Sequence, residues 1–359
     1  MSSSYYIHIR SSSTRRVDLL SHQPVDEGYG CNPERGDVIL GEVSELGQHI
    51  KFEEPGGREI LLQPGNIVAV VLGMRYSTQE FCGEIPQQLS RKSEFDLLNV
   101  GGIAGNVLSK NSLSKAPTKL LYLGHAVRDQ GEKLNTFNFR ITTSRMNTGM
   151  SHSSLRIIIV FGSDMDCGKT RTVGQIINFL CTDGYTVGGG KLTGTSRMKD
   201  ILYMKACGAH YVLDFMDAGY PSTYQCSHEE LRDIFSTFRE YFTSNGCDFL
   251  VIEVADGIFQ RETEMVLGCP AIMQDISMLT LAADNSVSAY GGIQYLKQTY
   301  GLVPDFVSGL ITSDRLAMEE FISKFPVQFL DNTFDARESF LQIIHQKFQP
   351  QTLQRGPNR

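Results

Sequence analysis

The chain has 359 residues, which is enough for two domains that each bury a hydrophobic core. Its net charge of −7 and isoelectric point near 5.7 argue against nucleic-acid binding, which needs a basic surface. No stretch approaches the roughly 20 apolar residues that span a bilayer, and the N-terminus has no apolar core of a secretory signal.

The eight cysteines show neither a CxxC pair nor a repeated spacing. This usage predicts reduced thiols and argues against a disulfide framework or a zinc site. We therefore expect a cytoplasmic protein without a membrane or nucleic-acid partner.

Residues 1–150 are predicted to form a β-rich domain. Short runs of alternating apolar residues are separated by turn signals such as Pro55-Gly56-Gly57, which indicates hairpins that close into a small barrel or sandwich. In residues 95–111, three glycines mark a predicted glycine-rich turn, and the polar residues 141–154 are predicted to be a linker. The runs interpreted as strands are 5–9, 36–46, 48–54, 59–65, 66–73, 118–127 and 134–141.

From Leu155 onward, short apolar runs alternate with amphipathic segments. Residues 151–348 are therefore predicted to be an α/β domain with a mostly parallel sheet and helices on both faces, and 349–359 a disordered tail. The predicted strands are 155–161, 185–189, 210–215, 248–254, 277–282, 305–311 and 327–329. The predicted helices are 169–183, 197–207, 228–244, 287–299, 314–324 and 335–348.

The segment 157–170, IIIVFGSDMDCGKT, contains the strongest functional signal in the chain. A buried strand, a glycine turn and a helix that begins with Lys169-Thr170 form the arrangement that holds a nucleoside triphosphate. The loop amides and the positive end of the helix dipole suit a polyphosphate, Lys169 adds a point charge, and Thr170 would ligate Mg²⁺. Five residues separate Gly162 from Gly168, where the usual P-loop NTPase pattern has four. The residues predicted to bind this cofactor, ATP with Mg²⁺, are Gly162, Ser163, Asp166, Cys167, Gly168, Lys169, Thr170 and Arg171.

Later strands of the same sheet end in charged residues, and ligands of such sheets bind at the carboxyl ends of the strands. Lys191 would place a second cation beside the phosphates. Asp214 and Glu253 end the following two strands, and we expect them, with Thr170, to bind Mg²⁺ and act in catalysis with Lys169 and Lys191. A loop-capping role is the alternative for each acid.

Weaker candidates for substrate contact lie close to these strand ends and in the β-rich half. Arg75 could hold a substrate carboxylate or sit equally well in a surface salt bridge. The other weak candidates are Thr193, Asp217, Ser222, Thr223 and Asp256.

Three segments, GSDMDCGKT, VGGGKLTG and VIEVADG, together resemble dethiobiotin synthetases. Those enzymes share a GTDT-x-VGKT loop, a KPV-x-x-G lysine and an EGAGG strand end. The likeness implies that Lys169 and Thr170 bind phosphate and Mg²⁺, that Lys191 faces the junction of phosphate and substrate, and that Glu253 is a Mg²⁺ ligand.

The sequence is still more similar to the DUF1611 family, which is related to the D-glutamate N-acetyltransferase DgcN. Its GTDC-x-VGK loop, ADF-x-x-GA segment and EGQGSLFHP strand end align with GSDMDCGKT, LDFMDAG and EVADGIFQR. The resemblance covers residues 155–330, and it implies a separate N-terminal domain. The sequence departs from the synthetases at Leu192, at Asp256 and at Thr312-Ser313, where they have a base-reading asparagine.

Three hypotheses for function follow from these observations. The first is an ATP- and Mg²⁺-dependent ligase, cyclase or kinase that phosphorylates a carboxylate or carbamate of a small carboxylic or amino acid. The second is an NTP-dependent switch or assembly ATPase, and a homodimer or higher homo-oligomer is expected. The third, which rests on the resemblance alone, is a DUF1611-type N-acyltransferase whose loop cradles acetyl-CoA. The β-rich half would then serve in substrate specificity, as a lid or in oligomerisation.

Overall fold

The computed structural model describes residues 3–27, 32–128, 131–142, 155–331 and 334–348. The N-terminal half is used below for residues 3–142 and the C-terminal half for residues 155–348. Most of the predicted linker and all of the predicted tail lie outside the described residues, so both remain predictions, as does the domain boundary at 150.

The N-terminal half is built from eleven short strands and two 3₁₀ turns, at Ser12–Thr14 and Thr136–Phe139. The strands are β1 Ser3–Tyr6, β2 Ile9–Arg10, β3 His22–Asp26, β4 Val38–Glu45, β5 Lys51–Glu53, β6 Glu59–Leu61, β7 Ile67–Leu72, β8 Phe81–Glu84, β9 Glu94–Leu97, β10 Ile103–Lys110 and β11 Thr118–Ala126.

Five of these strands close into a barrel. Strand β11 pairs with β4, β4 with β7, β7 with β10, β10 with β9, and β9 again with β11, so the ring of ladders has no open edge. Alternating apolar residues of these strands, among them Ile39, Val68, Leu97 and Tyr122, fill the interior. Of the two architectures expected from the sequence, the pairing therefore confirms the barrel.

The C-terminal half alternates strands and helices. Its strands are β12 Arg156–Gly162, β13 Val187–Lys191, β14 Tyr211–Asp214, β15 Phe249–Glu253, β16 Ile276–Ala282 and β17 Phe306–Ser308. Its helices are α1 Lys169–Thr182, α2 Met198–Ala206, α3 His228–Ser244, α4 Arg261–Leu267, α5 Pro270–Met273, α6 Ser286–Tyr300, α7 Arg315–Lys324 and α8 Phe334–Phe348, with a 3₁₀ turn at Leu310–Ser313.

The six strands form one parallel sheet in the order β14-β13-β15-β12-β16-β17. Residues of β12 alternate between two cores: Ile157, Ile159 and Phe161 belong to one, and Ile158 and Val160 to the other. The first core is covered by α3 to α6, and the second by α1, α2 and α8. The fold is thus α/β, with a mostly parallel sheet covered on both faces and a smaller β-rich unit before it.

The glycine run of β13 lets bulky side chains approach the sheet from both sides. A β-carbon on Gly190 would lie 3.0 Å from the ring of Phe238, and one on Gly188 only 2.2 Å from Phe242. On the opposite face, a β-carbon on Gly189 would crowd Met204 at 3.1 Å. The three glycines therefore bring α3 and α2 close to the strand that ends in Lys191.

Most predicted elements of the C-terminal half are present at nearly the predicted bounds. The strand prediction for 327–329 was wrong, because that segment makes only an isolated bridge between Phe329 and Val307. The segment 134–141 contains a 3₁₀ turn where a strand was predicted, and 95–111 contains β9 and β10 in addition to the turn. Within the described ranges, no helix combines the length and apolar character needed to cross a membrane.

Candidate functional site

The loop between β12 and α1 has an open helix N-terminus at its end. Gly168 is the N-cap residue of α1 and adopts a left-handed conformation with φ of 99°. A β-carbon there would lie 2.9 Å from the α-carbon of Gly309, so both backbone geometry and close packing require glycine. Because glycine offers no side-chain cap, the first amides of α1 remain available to an anion.

A cavity of about 370 Å³ opens beside this helix end. One wall consists of C-terminal-half residues, which include Gly168, Lys169 and Thr170. Other lining residues come from the N-terminal half and include His49, Arg75 and Tyr76. A molecule bound in the cavity would therefore contact both halves.

The hydroxyl of Thr170 lies between two acidic side chains. Its oxygen is 3.1 Å from Oε1 of Glu253 and 3.5 Å from Oδ1 of Asp200. The other carboxylate oxygen of Glu253 is buried and has no hydrogen-bond partner in the described chain. An orphaned carboxylate oxygen beside a threonine hydroxyl fits a divalent cation, since Mg²⁺ prefers oxygen ligands.

The protein alone supplies few metal ligands here. Among the described residues, no group of three or more His, Cys, Asp or Glu side chains is placed to hold a metal ion. Mg²⁺ commonly binds through one or two carboxylates, with waters and substrate phosphates as the other ligands. Thr170, Glu253 and Asp200 therefore fit a cation that arrives with a phosphorylated ligand.

Lys191 and Asp200 form a buried ion pair at this end of the cavity. Burial opposes the charge of Lys191, but Asp200 and Glu253 outweigh it and raise the lysine pKa. Burial likewise opposes ionisation of Asp200, yet Lys191 outweighs it and lowers the pKa of that carboxyl. Both groups therefore stay charged at neutral pH.

Lys169 lies across the loop between β12 and α1. Its ammonium donates to the backbone carbonyl of Asp164 at 2.7 Å, and the side chain is buried. A β-carbon on Gly162 would lie 2.8 Å from the same ammonium, which explains why the strand ends in glycine. The ammonium group of Lys169 is therefore held next to the N-terminus of α1.

Two acids beside the lysines have raised pKa values. Burial raises the pKa of Glu253, and this effect is only partly offset by Lys191. Burial also raises the pKa of Asp256, against the opposing charges of Lys169 and Lys191. Desolvated carboxyls in a cleft are typical of functional sites.

The N-terminal half contributes an arginine to the cavity lining. Arg75 is paired with Glu80 and also donates to the carbonyl of Leu98. Beside it, the ring of Tyr76 stacks on Tyr224 of the C-terminal half, with 5.4 Å between the ring centroids. Arg75 lines the cavity and forms a salt bridge with Glu80, whereas its contact with a substrate carboxylate stays a prediction.

The lowered pKa of His49 predicts how the stability of the protein depends on pH. The ring is buried, its Nε2 lies 3.1 Å from the carbonyl oxygen of Leu98, and burial lowers its pKa from 6.5 to about 4. The unfolded chain therefore binds more protons between these pH values, so stability should rise with pH from about 4 to about 6.5. Replacing His49 by Gln should remove up to about 3 kcal/mol of this rise, since one pKa unit is worth about 1.4 kcal/mol.

The measurement is urea unfolding of both proteins from pH 4 to pH 7. The exposed His22→Gln variant is the control, and its profile should follow that of the wild type. Parallel profiles for wild type and His49→Gln would show that His49 titrates alike in the folded and unfolded chain.

Asp214 does not reach the cavity. The structure places it at the end of β14, as predicted, but its carboxylate is paired with Arg15 of the N-terminal half and accepts from the amide of Met216. Asp217 is paired with Arg15 and Arg16. Both carboxylates are therefore engaged in ion pairs between the two halves, and neither lines the cavity as the sequence analysis expected.

Other predicted site residues do not line the cavity. The thiol of Cys167 is buried in the core beneath α1, and Ser163 faces a second cavity beside Asp284. Thr193 donates to the carbonyl of Ala255, and the Ser222 hydroxyl accepts from the amide of Tyr224. The predicted residues that do line the cavity are Arg75, Asp166, Gly168, Lys169, Thr170, Arg171, Lys191, Thr223, Glu253 and Asp256.

Sequence reasoning missed Asp200. Its signal was an acid in the first turn of the helix that follows the Lys191 strand. His49, Asn99 and Gln260 also line the cavity, and nothing in their local sequence indicates it.

Comparisons with known proteins add little to this geometry. No family model matches the sequence, and no curated protein matches it. Among solved structures, the chain is similar to the signal recognition particle receptor FtsY from Elizabethkingia anophelis, with 17% identity, a TM-score of 0.37, and coverage of 49% of this chain and 57% of that one. For chloroplast FtsY from Physcomitrella patens the identity is 13%, the TM-score 0.39, and the coverage 56% and 68%. For the signal recognition particle 54 kDa protein from Aeropyrum pernix, in complex with GDP, the identity is 16% and the TM-score 0.36, and the match covers 54% of this chain and 47% of that one.

TM-scores this low carry no argument about fold or activity. The chain's own strand, loop and helix order, with Lys169 and Thr170 opening α1 and Glu253 ending the neighbouring strand β15, defines its class: it has a P-loop NTPase fold.

Proposed function

We propose that the protein binds a nucleoside triphosphate with Mg²⁺ and transfers a phosphoryl group to the carboxylate or carbamate of a small metabolite. The observation that carries this proposal is the cavity beside α1. It joins an open helix N-terminus, two buried lysines and an orphaned carboxylate oxygen of Glu253. ATP is the expected nucleotide, although none of these groups reads a base.

Each of these groups has a separate task. The amides of α1 and Lys169 bind phosphate oxygens, and Lys191 balances charge that develops during transfer. Thr170, Glu253 and Asp200 hold the cation, whose role when bound is to neutralise phosphate charge. Catalysis is then mainly positioning and charge neutralisation, so the protein needs no covalent intermediate.

The wall from the N-terminal half supports an acceptor substrate over a simple switch. Arg75 and Tyr76 line the same cavity as Lys169 and Thr170, so a second molecule bound there would be close to the terminal phosphate. Arg75 suits a carboxylate, and the desolvated Asp256 suits an amine. A carboxylic or amino acid matches both, and the acyl phosphate formed from it would then be captured by an internal or added amine.

The test is calorimetry with ATP-Mg²⁺, GTP-Mg²⁺ and acetyl-CoA, followed by an ADP-release screen with a pool of small carboxylic and amino acids. We expect binding of a nucleotide that depends on Mg²⁺, and ADP release that depends on a metabolite. Binding of acetyl-CoA alone would favour the DUF1611-type acyltransferase. Hydrolysis without a metabolite, with a nucleotide-dependent change in oligomeric state, would favour the assembly ATPase.

A further inference from the structure

The segment between Lys191 and Asp200 is held from outside its own half. The side-chain amide of Asn99 donates to the carbonyl of Ser196 at 2.8 Å. A β-carbon on Gly101 would lie 2.1 Å from the same carbonyl oxygen, so the two halves are in close backbone contact here. The segment's path therefore depends on the barrel.

Helix α2 follows this segment and lacks a cap of its own. Its N-cap residue, Arg197, makes no side-chain capping hydrogen bond. The missing acceptor comes from β5 of the N-terminal half, where Oε2 of Glu53 accepts from the amide of Met198 at 2.9 Å. A carboxylate at this position is stabilised by the helix dipole as well as by the hydrogen bond.

Glu53 is itself tightly fixed. Its side chain is buried, and Oε2 also accepts from the hydroxyl of Ser12 at 2.6 Å. The nearest cation is Arg197, whose Nε is 3.9 Å from Oε1, too far for a hydrogen bond. Burying a carboxylate costs free energy, and here the hydrogen bonds from the Met198 amide and the Ser12 hydroxyl offset part of that cost. These two bonds therefore fix the position of the Glu53 side chain.

The capped turn carries Asp200. Asp200 lies in the first turn of α2, two residues after Met198, where its carboxylate reaches both Lys191 and the Thr170 hydroxyl. The backbone of this turn cannot shift without moving that carboxylate. The contact from Glu53 thus fixes a side chain of the proposed cation site.

We propose that Glu53 is a positioning residue of the cation and phosphate site, and that through it the N-terminal half completes a site whose ligands all lie in the C-terminal half. This inference rests on the proposed function. A cap that served stability alone would cost about 1 kcal/mol when removed and leave cation affinity unchanged. Positioning groups behind metal ligands instead change affinity by about 10- to 100-fold when removed.

The experiment measures Mn²⁺ binding by the loss of its free electron paramagnetic resonance signal, with a non-hydrolysable ATP analogue present. We expect Glu53→Ala to weaken Mn²⁺ binding at least about tenfold. Glu53→Gln, which keeps an acceptor for the Met198 amide, should restore most of the affinity. Glu54→Ala, the next residue of the same hairpin, is the control and should bind as the wild type does.

Thermal unfolding of each variant separates positioning from folding. If Glu53→Ala does not fold, Ser12→Ala replaces it, because that change frees Glu53 from its hydroxyl partner without removing the carboxylate. We then expect a smaller loss of Mn²⁺ affinity, about twofold to fivefold. Wild-type affinity in a folded Glu53→Ala or Ser12→Ala variant would overturn the inference, whereas a wild type that binds no Mn²⁺-nucleotide would overturn the proposed function instead.

Discussion

Replacing Lys169 by Ala should reduce nucleotide turnover by at least about 10²-fold while the protein remains folded. The loss is expected to be large because Lys169 is the cation held against the open end of α1, and removal of one charge-stabilising donor typically costs 10²- to 10³-fold in rate, as an order of magnitude. The protein should remain folded because the ammonium bonds only locally, to the carbonyl of Asp164 five residues earlier, and joins no distant elements through that bond.

The measurement is ADP release under saturating nucleotide and metabolite, with circular dichroism and thermal unfolding as checks of the fold. Lys297→Ala removes an exposed lysine from α6 and serves as the control, with an unchanged rate. If Lys169→Ala turned over nucleotide at the wild-type rate, the proposed role of Lys169 in phosphate binding and transfer would be wrong. Loss of binding without loss of rate at saturation would assign Lys169 to ground-state affinity alone.

The C-terminal half was predictable because its elements depend on local pattern. Helix α3 occupies 228–244 as predicted, since its buried residues recur at helical spacing and Ser227 caps it with Glu230. The charged residues at the strand ends were also predicted from the sequence: β13, β14 and β15 end at Lys191, Asp214 and Glu253. Parallel register then aligns Lys191 with both acids.

What the sequence could not predict is which strand-end acids face the ligand. Asp214 and Glu253 have the same local pattern, an acid after a buried strand. They differ because Arg15, 199 residues earlier in the chain, reaches one of them. A contact of that sequence separation leaves no periodic signal, so the sequence analysis placed Asp214 at the site and missed Asp200, which lines the cavity.

The barrel shows the same limit. Its strands are short, and β9 was hidden in a segment that was interpreted as a glycine turn. The closing ladders join β9 to β11 and β7 to β10, and neither pair is a simple hairpin. The N-terminal half places residues in the cavity through the way it packs on the C-terminal half, and this packing leaves no local sequence signal.

Replacing Arg15 by Met should destabilise the protein by about 3–5 kcal/mol, the typical cost of leaving a buried charge without its partner. The side chain of Arg15 is 10% exposed, and those of its partners Asp214 and Asp217 are 1% and 9% exposed. Burial already raises the pKa of Asp214, and Arg15 opposes that rise. Without the arginine, Asp214 remains desolvated with no compensating charge from that side chain.

The pH dependence of this loss has a definite sign. In the variant, the pKa of Asp214 rises further above its unfolded value, so the folded state takes up a proton more readily than the unfolded state. The destabilisation should therefore be largest at neutral pH and shrink as the pH falls through the raised pKa. Urea unfolding at pH 5 and pH 7.5 measures the difference directly.

Arg16 provides a matched control on the adjacent residue. Its side chain is 36% exposed and touches only Asp217 of the same acidic pair, at 3.3 Å, so Arg16→Met should cost no more than about 1 kcal/mol. The double variant Arg15→Met, Asp214→Asn should recover part of the stability, because it removes the unpaired charge. Equal losses for Arg15→Met and Arg16→Met would show that the buried pair does not hold the halves together. If Asp214→Asn lost Mn²⁺ affinity without losing stability, the original prediction that Asp214 binds the cation would be supported.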